Sequence, residues 1–236
     1  METKLNYKRT FLIGLAFLSI CSFWQMYDNI IPLILQNTYH LGETMTGAVM
    51  ALDNVLAIFL LPVFGMLSDK VHTKLGRRMP FIVAGTILAV IFMMLLPMID
   101  NAEKARWSTG ESFSNQVIFL AVLFFTLVSM GLYRSPAVAL MPDVTPNHLR
   151  SRANAVINLM GAVGGVYALI MIKVLVGKGE TPDYLPLFAS IAAVMVIAVG
   201  ILVITIRENK LREEVEKAEA ANTEKVEEKA IAEGVE

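Results

Sequence analysis

The chain has 236 residues, is 56% hydrophobic and 17% charged, and carries a formal net charge of −1 with a mean hydropathy of +0.59. Soluble domains carry about 25% charged residues, and uncharged apolar runs of at least about 18 residues read as membrane-crossing helices. The composition therefore excludes an ordinary soluble core and points to an integral membrane protein. One cysteine, Cys21, excludes an internal disulfide and a cysteine-based metal site, and His40, His72 and His148 are too scattered to form a metal cluster. No nucleophilic triad or nucleotide-binding loop is present, so an enzyme is not expected, and neither is a nucleic-acid partner. The run Gly161-Ala-Val-Gly164-Gly165 lies inside an apolar stretch with no strand before it, which rules out a phosphate cradle.

In chain order, residues 1–10 form a short basic cytoplasmic lead. Six spans are expected over 11–36 (interrupted by Pro32), 46–68, 80–99, 117–141, 153–176 and 184–206. The link between spans two and three carries Lys70, Lys74, Arg77 and Arg78, and the turn after span four carries Arg150 and Arg152. Short loops rich in Lys and Arg stay on the cytoplasmic side, which places both termini there in a multi-pass plasma (inner) membrane protein. Residues 1–206 have a net charge of +3 and residues 207–236 a net charge of −4. The second segment reads as a charged, solvated cytoplasmic tail or linker, since it has no apolar heptad.

Charged groups at membrane depth are costly and mark functional positions. Asp28 follows Trp24 and Tyr27 about 7 Å outward of the middle of span one, and Asp53 lies about 6 Å to the same side in span two. Two carboxylates near each other in a low dielectric cannot both stay ionised cheaply, so they would share a proton or bind a cation. Arg134 of span four sits about 7 Å towards the cytoplasm, where it can bind substrate, pair with Asp69 or Asp143, or reach the inner interface. Asn154, Asn158, Gly161 and Gly165 share one face of span five. Asn158 is a cavity-lining candidate there, while Gly161 and Gly165 suit close helix packing.

The stretch Gly65-Met-Leu-Ser-Asp69-Lys-Val-His-Thr-Lys-Leu-Gly76-Arg77-Arg78-Met-Pro80 resembles the loop between helices two and three of major facilitator superfamily transporters. Its long Asp-to-Gly gap is similar to that of the sucrose/proton and glycoside-pentoside-hexuronide cation symporters, as is the run Arg134-Ser-Pro136-Ala-Val-Ala-Leu-Met-Pro-Asp143. The resemblance covers about residues 10–206. It implies an all-α N-terminal six-helix half of a transporter that moves a small molecule, in this branch a sugar, with H+ or Na+ as coupling ion and no other cofactor. It further implies Asp53 as the cation-coupling carboxylate and Asp28 as an acceptor for sugar hydroxyls; for the same substrate, Trp24 can stack on an apolar sugar face and Asn158 is the cavity-lining candidate. Gly65, Asp69, Gly76, Arg77 and Arg78 become a gating loop, and Arg134 with Asp143 an intramembrane ion pair. Such folds work between two halves, so the chain is expected to be a fragment or a half that pairs with a second six-helix unit. The alternative is a membrane interaction subunit that kept the fold without transporting.

Overall fold

A computed structural model describes residues 5–107, 115–177, 179, 181–217 and 219–220. The first four residues of the basic lead, the middle of the link 100–116 and residues 221–236 of the tail lie outside the described residues.

The chain folds into long helices: α1 (Tyr7–Asn37), α2 (Glu43–Met50), α3 (Leu52–Lys70), α4 (Met79–Trp107), α5 (Gln116–Asp143), α6 (Arg150–Leu175) and α7 (Leu185–Thr205). A one-turn 3-10 segment, Asn147–Leu149, leads into α6. Among the described residues six segments are long and apolar enough to cross a membrane, with α2 and α3 together making the second. In lipid every backbone polar group needs an internal partner, which is why the apolar runs become helices.

The helices differ from the expected spans in three ways. Pro32 does not interrupt α1, which runs unbroken past it. Span two is broken instead, at Ala51, so that Asp53 stands in the first turn of α3. There the unpaired backbone N–H groups favour a carboxylate. Span three continues to Trp107 because the charges expected in a loop are satisfied on the helix: Asp100, fully buried, takes Lys104 Nζ at 2.6 Å and the Thr38 hydroxyl at 2.6 Å.

In the bundle, α1 packs against α6 and α7, α4 against α5 and α7, and α3 against α5. The core between them is built from Phe23, Tyr27, Ile30, Tyr133, Phe119 and Phe188, all fully buried. Two glycines let backbones touch. A Cβ on Gly164 would meet the carbonyl oxygen of Leu18, where α6 crosses α1, and one on Gly85 would lie 2.6 Å from the Tyr133 nitrogen, where α4 crosses α5. The close approach expected at Gly161 and Gly165 is thus made by Gly161 and Gly164. Gly165 faces Gln25 with ordinary spacing.

At one end of the bundle, Lys104 also donates to Pro182 O at 2.7 Å and lies over the Tyr184 ring, while Asn101 binds Asp183. Burial pushes the Tyr39 phenol up, and the Asp100 and Glu103 carboxylates beside it push the same way. The opposite end gathers the start of α1, the 71–78 loop, the α5–α6 turn and the end of α7. Residues 208–217 form a helix there. One face of it is packed rather than solvated: Glu208, Leu211 and Val215 are buried, while Lys210, Glu213, Glu214 and Lys217 are exposed.

Candidate functional site

The basic loop and the intramembrane carboxylates form two separate constellations. In the first, Arg78 is the hub. Its guanidinium reaches Asp69 Oδ1 at 2.6 Å, Asp143 Oδ2 at 3.0 Å, the Ser68 hydroxyl at 2.5 Å and the Gly65 carbonyl at 3.3 Å. A planar guanidinium offers five donors in a fixed fork, so one arginine can hold the ends of two helices at once. Here those ends are α3 through Ser68 and Asp69, and α5 through Asp143. Arg78 itself is buried, whereas Asp69 is half exposed to solvent. The neighbouring Arg77 donates to the Asp69 carbonyl at 3.4 Å.

Glu208, which sequence reasoning treated as part of a polar tail, completes this cluster. Its carboxylate accepts the backbone N–H groups of Arg77 (2.8 Å), Arg78 (3.0 Å to each oxygen) and Met79 (3.0 Å). These donors open α4 and have no partner within the helix. Gly76 makes room for the acid: its φ is +128°, and a Cβ there would run into the Glu208 carboxylate. Asn209 adds a bond to the Thr73 carbonyl at 3.0 Å. The signal for Glu208 was weak in the sequence, because a single acid just after an apolar span has no periodicity to set it apart.

The second constellation lies midway along the helices. Asp28, exposed on the bundle surface, lines an open cavity of about 400 Å3 together with Cys21, Trp24, Gln25 and Asn158. Asp53 lines a narrow cleft of about 20 Å3 with Leu60, Gly131 and Arg134. Trp24 lines both. The Asp28 and Asp53 carboxylates lie within electrostatic reach of each other and of the Tyr27 phenol. Two buried polar atoms nearby, Trp24 Nε1 and Tyr27 Oη, have no hydrogen-bond partner among the described residues. Asp53 Oδ1 accepts the Asn54 side-chain amide at 2.9 Å.

Arg134 does not pair with Asp143 or Asp69 as expected. Arg78 occupies both carboxylates, and the Arg134 guanidinium lies 5.5 Å from the centre of the Trp24 ring. That is within range of a cation–π contact, which gains strength where water is excluded. The structure thus brings Trp24, Asp28 and Asn158 to one cavity, and Asp53 and Arg134 to one cleft, with Trp24 between them.

The family model of the Major Facilitator Superfamily matches residues 8–233. The chain belongs to that superfamily. It is similar to "Sucrose transport protein SUC4" of Arabidopsis thaliana, 35% identical over 116 residues, 46% of this chain and 22% of that protein. It is also similar to "Sucrose transport protein SUT3" of Oryza sativa subsp. japonica, 26% identical over 137 residues, 55% of this chain and 27% of that protein. The chain spans about a quarter of the length of these curated relatives.

Proposed function

We propose that the chain is the six-helix half of a secondary transporter that takes up a sugar by alternating access, coupled to H+ or Na+. The observation that carries this is the paired arrangement around Trp24: an open cavity with Asp28, Gln25 and Asn158 on one side, and a cleft with Asp53 and Arg134 on the other. Ligand cavities typically measure about 300–1,000 Å3, and the larger of these two falls in that range at about 400 Å3. Carboxylate and carboxamide groups suit the adjacent hydroxyls of a sugar, and an indole suits its apolar face. The names of the sucrose transport proteins to which the chain is similar support a sugar as cargo. Asp53 stands as the cation site, its charge answered by the α3 N-terminus when no cation is bound.

The loop around Arg78 acts as the gate. Of the two carboxylates on Arg78, Asp69 is the more exposed, so that pair is the more screened by solvent and the first to part. The basic end faces the cytoplasm, and both termini lie there. The cavity closes against a second six-helix unit, whether further along the same polypeptide, a second copy or a separate chain. The exposed apolar faces of α3 (Val55, Ile58, Phe59) and α6 (Leu159, Val163, Val166) suit that contact.

The test is uptake of labelled sucrose by cells expressing the chain with its second half, under an imposed pH or Na+ gradient. Uptake that follows the gradient, and is lost in Asp53→Asn at unchanged membrane level, supports the reading. Unchanged uptake in Asp53→Asn removes the cation role. The same exposed faces also favour a second reading, a membrane subunit that binds a partner without transporting. It predicts a stable complex, no stabilisation by sugars and no effect of Asp53→Asn.

A further inference from the structure

A third cavity lies away from both constellations, where α1 begins and α7 ends. It measures about 280 Å3 and is lined by Lys8, Arg9, Arg207 and Lys210, with Leu12 and Leu211 among the apolar lining. Four cations around one cavity repel each other unless an anion answers them. Among the described residues the only acid lining it is Glu214, which meets Arg9 at 3.5 Å and is itself half exposed. Lys8, Arg207 and Lys210 are exposed and have no ion pair among the described residues. An excess of three positive charges therefore remains at this spot.

Its position narrows the ligand. The cavity sits at the ends of two apolar helices, the level at which a bilayer gives way from hydrocarbon to headgroup. Tyr7 and Phe11, one turn apart on α1, are exposed on the bundle surface, as are Ile201 and Ile204 near the end of α7. Aromatic side chains concentrate at that interface. Cations above an exposed apolar surface match an amphiphile with a phosphate head and acyl chains. A freely soluble anion would need only the cations. Basic pockets between membrane helices bind anionic headgroups in this way.

We propose that this cavity holds the phosphate of an anionic lipid headgroup, with Lys8, Arg207 and Lys210 as its ligands. The site is independent of the transport reading and of the residues assigned to it. Each cation near an anionic membrane surface is worth roughly a factor of five in binding, so neutralising three weakens it by about 100-fold.

The experiment is native mass spectrometry of the purified full chain, titrated with phosphatidylglycerol or phosphatidylcholine. The wild type is expected to retain phosphatidylglycerol in preference to phosphatidylcholine. The Lys8→Gln/Arg207→Gln/Lys210→Gln variant is expected to lose that preference. A Lys70→Gln/Lys74→Gln/Arg152→Gln variant, which removes three charges from the same end of the bundle, is expected to keep it. A charge-preserving Lys8→Arg/Arg207→Lys/Lys210→Arg variant should bind like the wild type, which separates lost contacts from lost folding. Equal retention of both lipids overturns the proposal, and so does equal loss in the two charge-removing variants. If inorganic phosphate alone protects the wild type against heat as well as phosphatidylglycerol does, the site is one for soluble anions and the lipid assignment falls.

Discussion

Replacing Glu208 by Ala removes, among the described residues, the only side chain that reaches the three N–H groups opening α4. The carboxylate makes four contacts of 2.8 to 3.0 Å from a buried position. A hydrogen bond to a charged group contributes about 1.5–3 kcal/mol, and a buried donor left unpaired costs about 1–3 kcal/mol. The contacts share donors and oxygens, and Arg77 is partly open to solvent, so they do not add in full. A loss of roughly 3–5 kcal/mol is the expected magnitude for Glu208→Ala. For a domain of this size that corresponds to a fall in Tm on the order of 10 °C. Glu208→Gln keeps one acceptor oxygen and should lose about half as much. The assay is heat treatment of the detergent-purified chain followed by size-exclusion chromatography, with helical content checked beforehand. If Glu208→Ala melts within about 2 °C of the wild type, the clamp is not a main support of this end of the bundle.

Other expectations follow from the same geometry. Gly76→Ala places a Cβ against the Glu208 carboxylate at a φ of +128°. It should destabilise the chain nearly as much as Glu208→Ala, with a non-additive double variant, as a double-mutant cycle of melting temperatures would show. Arg78→Lys retains a charge but cannot span Asp69 and Asp143 together. It should raise protease sensitivity at the 71–78 loop, and an unchanged digestion pattern would count against the hub role. Gly164→Ala drives a methyl group into the Leu18 carbonyl, so α1 and α6 must part. A loss of about 1–3 kcal/mol by thermal unfolding is expected, larger than for Gly165→Ala, whose Cβ would meet only the Gln25 side chain at ordinary spacing. Cys21 lines the larger cavity and is partly exposed. Alkylation by a small maleimide should slow in the presence of a transported sugar, and an unaltered rate would place the sugar elsewhere.

The spans were legible because apolar runs of this length have few alternatives in a bilayer. The basic loop was legible too, as a short run of cations between two apolar spans. What stayed hidden depended on distance along the chain. Asp143 lies 65 residues from Arg78 and Glu208 lies 130. No local pattern distinguishes those acids from their neighbours. The pairing that the resemblance implied for Arg134 is not made, for a related reason: a better-placed guanidinium, that of Arg78, takes both Asp69 and Asp143. The break at Ala51 left no mark either, for it carries neither proline nor glycine at the position itself.

Trp24 lines the cavity that holds Asp28 and the cleft that holds Asp53. A single indole cannot shift to suit an occupant on one side without changing the space on the other. In the proposed cycle this makes it a partition through which two ligands sense each other, and thermodynamic linkage fixes the result. Whatever factor a bound sugar adds to the affinity for the cation, the cation adds to the affinity for the sugar. A smaller side chain at position 24 would leave both chambers in place and let each ligand bind without regard to the other, turning a coupled carrier into a leak.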